Sequence, residues 1–323
     1  MPDINWYPGH MAKSRRLLLD QLKSVDAVIE LCDARAPIST RNPDLMNLAQ
    51  GKAHVLVLGK CDLASESATQ AWLSAFKRQN IEAIRFDVGG RTREITDKIA
   101  QITRPVVERM KARGVQKTVR LMVIGIPNVG KSTFINRLNG SAVAKTADRP
   151  GVTRANQWVK VGPYLELLDT PGMLWPKLND QRMARTLAYL GSIRDQIMDG
   201  EELAMLLMQQ LIKVAPDVLC ARYKLDGATS ETPPNELLQM ACKGRGWLMA
   251  GARYDTERAA AVVLDEFRAG KIGRITLEMP RGTETGASRA KEAGASRETE
   301  TGTSRAKGTG TPRETETGTL RET

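Results

Sequence analysis

A chain of 323 residues with 41% apolar content is long enough for about two domains with cores of their own. Lys and Arg outnumber Asp and Glu by 48 to 37, a bias that points to an anionic partner such as nucleic acid or a membrane surface. Four cysteines, at 32, 61, 220 and 242, show neither a C-x-x-C pair nor metal-ligand spacing, and the longest apolar runs, such as Ala259 to Leu264, are far too short to span a bilayer. A disulfide scaffold, a zinc module and a membrane-spanning protein are thereby excluded, and with no apolar signal-peptide core near the start the expected location is the cytoplasm.

Residues 1–24 form an N-terminal segment. Asn5-Trp-Tyr-Pro-Gly-His10 leads into Met11 to Leu22, whose leucines recur at helical spacing opposite a basic side, which predicts an amphipathic helix with His10 just before it. Ala27 to Cys32 reads as a buried strand ending at Asp33-Ala-Arg35, followed by a loop over Pro37 to Pro43. Val55 to Leu58 is a second strand and ends in Gly59-Lys60-Cys61-Asp62; Ala68 to Arg78 is helical by composition, and Glu82 to Phe86 is a short strand. Strands that alternate with helices predict an α/β fold, an open doubly wound parallel sheet with helices on both faces. Ligands of such sheets sit at the carboxyl ends of strands. The run Arg104, Arg109, Lys111, Arg113, Lys117 and Arg120, opposed only by Glu108, reads equally as a solvated helix face or an RNA contact.

The next stretch organises the chain. An apolar run, Val119 to Ile124, is followed by Gly125-Ile-Pro-Asn-Val-Gly-Lys-Ser132 and then by the helix-like Thr133 to Leu138. In a strand, tight loop and helix of this kind the backbone N–H groups around Asn128, Val129, Gly130 and Thr133 can turn inward on a phosphate, and the helix N-terminus adds its positive end. Lys131 would reach the β- and γ-phosphates and the Ser132 hydroxyl would bind Mg²⁺. Further on, Leu165 to Asp169 is an apolar strand closing in Asp169-Thr-Pro-Gly172, where Asp169 can hold Mg²⁺ through water and the Gly172 N–H can sense a γ-phosphate. The two motifs together define a nucleoside triphosphatase site.

Gly59-Lys60-Cys61-Asp62 gains meaning from this site. In GTP-binding domains an Asn/Thr-Lys-x-Asp motif lies at a strand's carboxyl end, and its Asp accepts hydrogen bonds from guanine N1–H and the 2-amino group, a donor pair that adenine lacks. The motif normally lies downstream of Asp-x-x-Gly, yet after Gly172 no apolar strand ends in K-x-D. Upstream one does. A circular permutation accounts for the order: the same sheet, entered at its guanine-specificity half, as chain ends close together on a surface allow.

With Trp6-Tyr-Pro-Gly-His-Met-Ala-Lys13, Asp33-Ala-Arg-Ala-Pro37, Arg41-Asn-Pro43, the phosphate loop, Arg149-Pro-Gly-Val-Thr153, Asp169 to Lys177 and Phe267 to Arg274, the chain resembles the circularly permuted GTPases of ribosome assembly, in particular the ribosome biogenesis GTPase A family. The resemblance spans about residues 4 to 280 and implies a protein that binds the large (50S) ribosomal subunit and its rRNA late in assembly and hydrolyses GTP to GDP there. Two places depart from the family pattern. Gly59 stands where the family usually has Asn, which removes a side chain that contacts the base and braces the loop, and around Asp87-Val-Gly89 no Ser-Ala pair backs the base.

For the chemistry, Ser132, Thr153 and Asp169 are expected to share Mg²⁺, with Thr153 on a switch loop that orders around a γ-phosphate; the plainer reading of Thr153 is a turn residue after Pro150-Gly151. Where many GTPases carry a water-orienting Gln after Asp-x-x-Gly, this chain has Met173, and a thioether cannot do that work. The resemblance implicates His10 in hydrolysis, and imidazole can orient or deprotonate water; taken alone, an isolated His is more often structural. Asn128 resembles the Asn of potassium-dependent GTPases, in which K⁺ replaces an arginine finger.

Residues 25–175 are thus read as the permuted GTPase domain, with 26 basic against 16 acidic side chains over residues 1–175. Residues 176–280 form a helical domain, with helices over Gln181 to Ile197, Gly200 to Val214, Pro234 to Ala241 and Thr256 to Ala269. Its charges balance, 14 against 14, so the rRNA contact that the resemblance implies stands beside a plain protein-docking role. Residues 281–323 repeat Arg-x-Thr/Glu-rich units sixteen residues apart, from Arg281, Arg297 and Arg313, and contain no large apolar residue but Leu320; a disordered low-complexity tail is expected. The main reading is a GTPase acting as an assembly factor, a monomer away from the ribosome. The alternative is an RNA-binding scaffold whose nucleotide hardly turns over, for which Met173 and Gly59 both speak. A GTPase of tRNA modification or of membranes is disfavoured, because the C-terminal half has neither a modifying-enzyme motif nor a membrane segment.

Overall fold

Strands that are covered on both faces need no alternation of polar and apolar residues, and the longest apolar runs accordingly lie at the centre of one sheet. In a computed structural model, which describes residues 9–116, 118–140, 157–162, 164–174, 180–193 and 199–281, β1 (Ala27–Asp33) is buried along its whole length. It pairs in parallel with β2 (Ala53–Gly59) on one side and β4 (Val119–Ile124) on the other. β3 (Ala83–Arg85) extends the sheet beyond β2, and β6 (Leu165–Asp169) lies parallel to β4. β5 (Gln157–Gly162) closes the far edge, giving the order β3-β2-β1-β4-β6-β5.

That edge strand departs from the all-parallel expectation. Only residues 163 and 164 separate β5 from β6, and a connection that short permits only antiparallel neighbours. Otherwise the order is that of a permuted P-loop sheet. β1 to β3 come first in the chain, and β4, which leads into the Gly125–Ser132 loop, is inserted between β1 and β6.

Helices cover both faces. On one, α4 (Arg93–Lys111), α5 (Lys131–Asn139) and α6 (Gln181–Tyr189) bring Ile95, Ile99, Phe134, Ile135, Ala184 and Leu187 onto Ile29, Leu31, Val57, Leu121, Val123 and Leu167. On the other, α1 (Gly9–Leu22) lays Leu18 and Leu22 on Val28, Met122, Ile124 and Leu168, beside Leu45 of the short α2 (Pro43–Leu48). α3 (Glu66–Arg78), capped by Ser65, lays Trp72 and Phe76 on Leu56 and Leu58.

The remaining helices, α7 (Gly200–Val214), α8 (Pro216–Tyr223), α9 (Pro234–Arg245) and α10 (Thr256–Arg268), share a second core built on Leu203, Leu207, Leu211, Leu219, Leu238, Val263 and Phe267. Aspartates mark their starts: Asp180, Asp199 and Asp255 accept main-chain N–H groups at the N-termini of α6, α7 and α10. The helix expected over Gln181 to Ile197 stops at Tyr189, because Gly191 takes a left-handed φ of +69° and turns the chain back. α8 is an addition to the expected set: Pro216 ends α7 by its missing N–H and starts a new helix at its fixed φ. Both cores lie within one compact unit, residues 1–280. Among the described residues no helix is long and apolar enough to cross a membrane. The repeats beyond Arg281 fall outside the described residues.

Candidate active site

The loop after β4 is shaped by close approaches that only certain residues allow. A Cβ on Gly125 (φ +154°) would stand 2.6 Å from the Leu31 carbonyl oxygen, so a side chain there would push β4 off β1. Asn128 (φ +60°) and Gly130 (φ +97°) take left-handed conformations that turn the loop, while buried Val129 pins it to the core. Lys131 opens α5 and is itself buried; its Nζ donates to the carbonyls of Gly125 (3.2 Å) and Ile126 (2.8 Å), lying across its own loop. Burial lowers its pKa to about 8 against the pull of Asp169.

Ser132 Oγ donates to Asp169 Oδ2 at 2.9 Å, which joins the first turn of α5 to the end of β6. Asp169 is 2% exposed, and its other oxygen, Oδ1, has no hydrogen-bond partner among the described residues. Burial raises the Asp169 pKa, while the Ser132 bond and Lys131 oppose the rise. A buried carboxylate oxygen without a partner costs about 1–3 kcal/mol, and a hard cation beside it, sharing the Ser132 hydroxyl, would remove that cost. The donor set therefore fits Mg²⁺.

Gly172 is where the second motif meets the first. Its Cβ would lie 2.5 Å from Pro127 Cα and 2.6 Å from Pro127 N, so only a residue without a side chain lets the chain after β6 lie on the phosphate loop. Thr170 Oγ1 donates to Val123 O (2.7 Å) and Met173 N to Gly125 O (3.3 Å), fastening the same stretch. The Met173 side chain is buried with Leu18, Leu22, Met122 and Leu168, and Asn42 Nδ2 donates to its carbonyl at 2.9 Å. The position after Asp-x-x-Gly is thus a core position that holds α1 to the site. His10 lies in the first turn of α1; its side chain and Thr153 fall outside the described residues.

The second loop stands at the same edge of the sheet. Gly59 ends β2 opposite Asp33 of β1, and a Cβ on it would lie 3.2 Å from Val129 O, so this loop touches the phosphate loop through main chain. Lys60, at φ +55°, brings its Nζ within 3.3 Å of Asp33 Oδ2. Cys61 turns its thiol inward to Leu58 O (3.0 Å), and burial pushes it up to about 12, so only its main chain is left to face a nucleotide. Asp62 stands exposed beside it. The structure thereby brings Asn128, Val129, Gly130, Lys131, Ser132, Thr133, Asp169 and Gly172 together, with Gly59, Lys60, Cys61 and Asp62 on the adjoining loop.

Two features had no assigned role in the motif reading. Asp33 and Arg35 form a buried ion pair at 2.8 Å, and the Arg35 guanidinium also donates to the Phe267 (3.1 Å) and Arg268 (3.2 Å) carbonyls at the end of α10. Burial alone would raise the Asp33 pKa, but Arg35 and Lys60 outweigh it and hold the carboxyl far below the usual range. Asn128 Nδ2 donates to Gly191 O at 2.7 Å, tying the phosphate loop to the turn after α6. A charged pair directly after a buried strand, at the edge where ligands bind, was the available signal for the first; nothing local in the sequence signals the second.

Comparison with known proteins agrees with this geometry. Residues 120–217 match the family described as 50S ribosome-binding GTPase. The chain is 43% identical to ribosome biogenesis GTPase A of Priestia megaterium over 287 residues, 87% of this chain and 98% of that protein. Among solved structures it is similar to the GNP-bound YlqF of T. maritima (TM-score 0.59, 27% identity, 83% of this chain and 99% of that one) and to the GDP-bound form (TM-score 0.58, 27% identity, 82% and 99%).

Proposed function

This chain belongs to the ribosome biogenesis GTPase A family, and on that premise we propose that it is a GTP-hydrolysing assembly factor that binds the large (50S) ribosomal subunit late in its maturation. In this reading residues 25–175 carry the catalytic site, and the helical residues 176–280 contact rRNA. The protein is a cytoplasmic monomer away from the ribosome.

Asp62 accepts the guanine N1–H and 2-amino hydrogen bonds. The N–H groups of Asn128 to Thr133 hold the phosphates, and Lys131 leaves the carbonyls of Gly125 and Ile126 for the β- and γ-phosphate oxygens. Ser132, Asp169 and Thr153 are the Mg²⁺ ligands; when bound, the ion supplies charge neutralisation at the phosphate oxygens. The Gly172 N–H meets the γ-phosphate. His10 orients or deprotonates the attacking water, a role that buried Met173 leaves open, and Asn128 offers its amide oxygen to K⁺.

The observation that carries the reading is the buried Asp169 oxygen without a partner among the described residues, next to Ser132, on a strand end that Gly172 seats on the phosphate loop. Met173 in the core also gives footing to the slower alternative, a scaffold that binds nucleotide and hardly turns it over. One assay separates them: GTP turnover with and without large subunits, in K⁺ and in Na⁺, for the parent chain and for His10→Ala. The proposal expects subunits to raise turnover at least about tenfold, K⁺ to exceed Na⁺, and His10→Ala to lose the stimulated rate while GDP affinity holds. Turnover that subunits leave unchanged would overturn the assembly-factor reading. Equal rates in the two salts would dismiss K⁺, and an unimpaired His10→Ala would dismiss the histidine.

A further inference from the structure

After α10 the chain runs back to the loop that carries Asp62. The Arg274 guanidinium donates to Ala64 O (2.9 Å, Nε) and to Cys61 O (3.0 Å, Nη2), and it meets Glu66 at 3.1 Å. Ile275 N donates to Leu63 O at 3.1 Å, and Thr276 Oγ1 accepts from Ser65 N at 3.1 Å. Every residue from Cys61 to Ser65 except Asp62 is therefore held at its main chain by residues 274–276. The side chain of Arg274 is 49% exposed, so the Glu66 pair contributes little; the carbonyl bonds matter because they fix where the loop lies.

The segment that supplies these bonds is itself anchored. Leu277 N donates to Arg35 O (2.7 Å), and Trp72 Nε1 donates to Glu278 O (2.8 Å). The Glu278 carboxylate accepts from the N–H groups of Ile38 (2.7 Å) and Ser39 (3.1 Å) and from the Ser39 hydroxyl. Ile275 and Leu277 are buried. Gly59, on the other flank of the loop, has no side chain to reach the phosphate loop beside it.

We propose that Arg274, seconded by Ile275 and Thr276, positions the guanine-recognition loop, so that the C-terminal segment sets nucleotide specificity through Asp62. This rests on the assignment of Asp62 as the guanine ligand. One carboxylate must meet two donors at once, and a loop that shifts by an ångström keeps at most one of those bonds. Hypoxanthine lacks the 2-amino group, so the preference for GDP over IDP reads the second hydrogen bond.

The test is equilibrium binding of GDP and IDP to the full chain, the Arg274→Ala and Arg274→Lys variants, Thr276→Val and Asp62→Asn, with thermal stability followed in parallel. The parent chain should prefer GDP by about tenfold or more. Arg274→Ala should lower that ratio at least about fivefold, Arg274→Lys should keep part of it with a single nitrogen in place of the Nε and Nη2 fork, and Thr276→Val should fall between. An unchanged ratio in Arg274→Ala together with a lost preference in Asp62→Asn would overturn the positioning role and leave the Asp62 assignment standing. An unchanged ratio in both would overturn the assignment and the proposal with it. GDP and IDP affinities falling by one common factor, or a lower melting temperature at constant ratio, would reduce the segment to a structural brace; Thr276→Val gives the same readings if Arg274→Ala fails to fold.

Discussion

Lys131 couples the charge of one buried side chain to nucleotide binding. Its ammonium is buried against two carbonyls, and that burial brings its pKa down to about 8 from the ordinary value near 10.5. A triphosphate adds negative charge at the amine and raises the pKa again. Below about 8 the amine is charged before and after binding, and the full attraction is available. Above that pH the empty protein has lost the proton, so binding must take one up and affinity declines as pH rises. Calorimetric titration with GDP at pH 8.5, in buffers of different ionisation enthalpy, is expected to show net proton uptake. The uptake should vanish in Lys131→Arg, whose guanidinium stays charged. Uptake of equal size in the variant would mean that another group titrates.

At the level of elements, contact between β6 and the phosphate loop depends on a missing side chain. Gly172→Ala places a methyl group within van der Waals overlap of Pro127, and main chain on both sides must separate. The expected result is a loss of GTP turnover of about a hundredfold, the usual consequence of misplacing reacting groups by an ångström, with GDP affinity within about threefold because GDP lacks the γ-phosphate that the proposed role assigns to the Gly172 N–H. Equal losses in turnover and in GDP affinity would show instead that the phosphate loop itself had collapsed. Such elements were legible in the sequence where spacing is itself the physics: two glycines bracketing a turn, an apolar strand before it, an Asp closing the next strand. β1 to β4, β6 and the helices α1, α3, α5, α7 and α10 follow from periodicity in the same way. β5 was not legible, because an edge strand such as Gln157-Trp-Val-Lys160 buries one face and gives a weak pattern. Nor was the partner of Arg35 legible: the carbonyls it meets lie more than two hundred residues away in the chain and belong to main chain, which has no residue-type signature.

Across the whole molecule these long-range bonds close a ring. Asn128 of the phosphate loop donates to Gly191 after α6, and Arg268 of α10 donates to the Ala188 (2.9 Å) and Tyr189 (3.1 Å) carbonyls at the end of α6. Arg35 donates to the end of α10, and through Asp33 it meets Lys60 of the loop after β2. Both ends of the nucleotide site are thus fastened to the helical core by bonds to helix C-termini, where carbonyls lack partners within the helix. One of the links, Asp33–Arg35, is a charged pair buried on both sides; removing one partner of such a pair typically costs about 3–5 kcal/mol, and because Arg35 also holds the end of α10 the two cores should not melt apart. Scanning calorimetry of residues 1–280 is expected to give one transition. GDP at about a hundred times its Kd adds about 2.7 kcal/mol, which moves a transition of this size upward by roughly 4–5 °C. Two transitions, with only the first displaced by GDP, would mean that the ring carries no load between the cores; a single displaced transition requires the helices to sense the nucleotide through the bonds traced here.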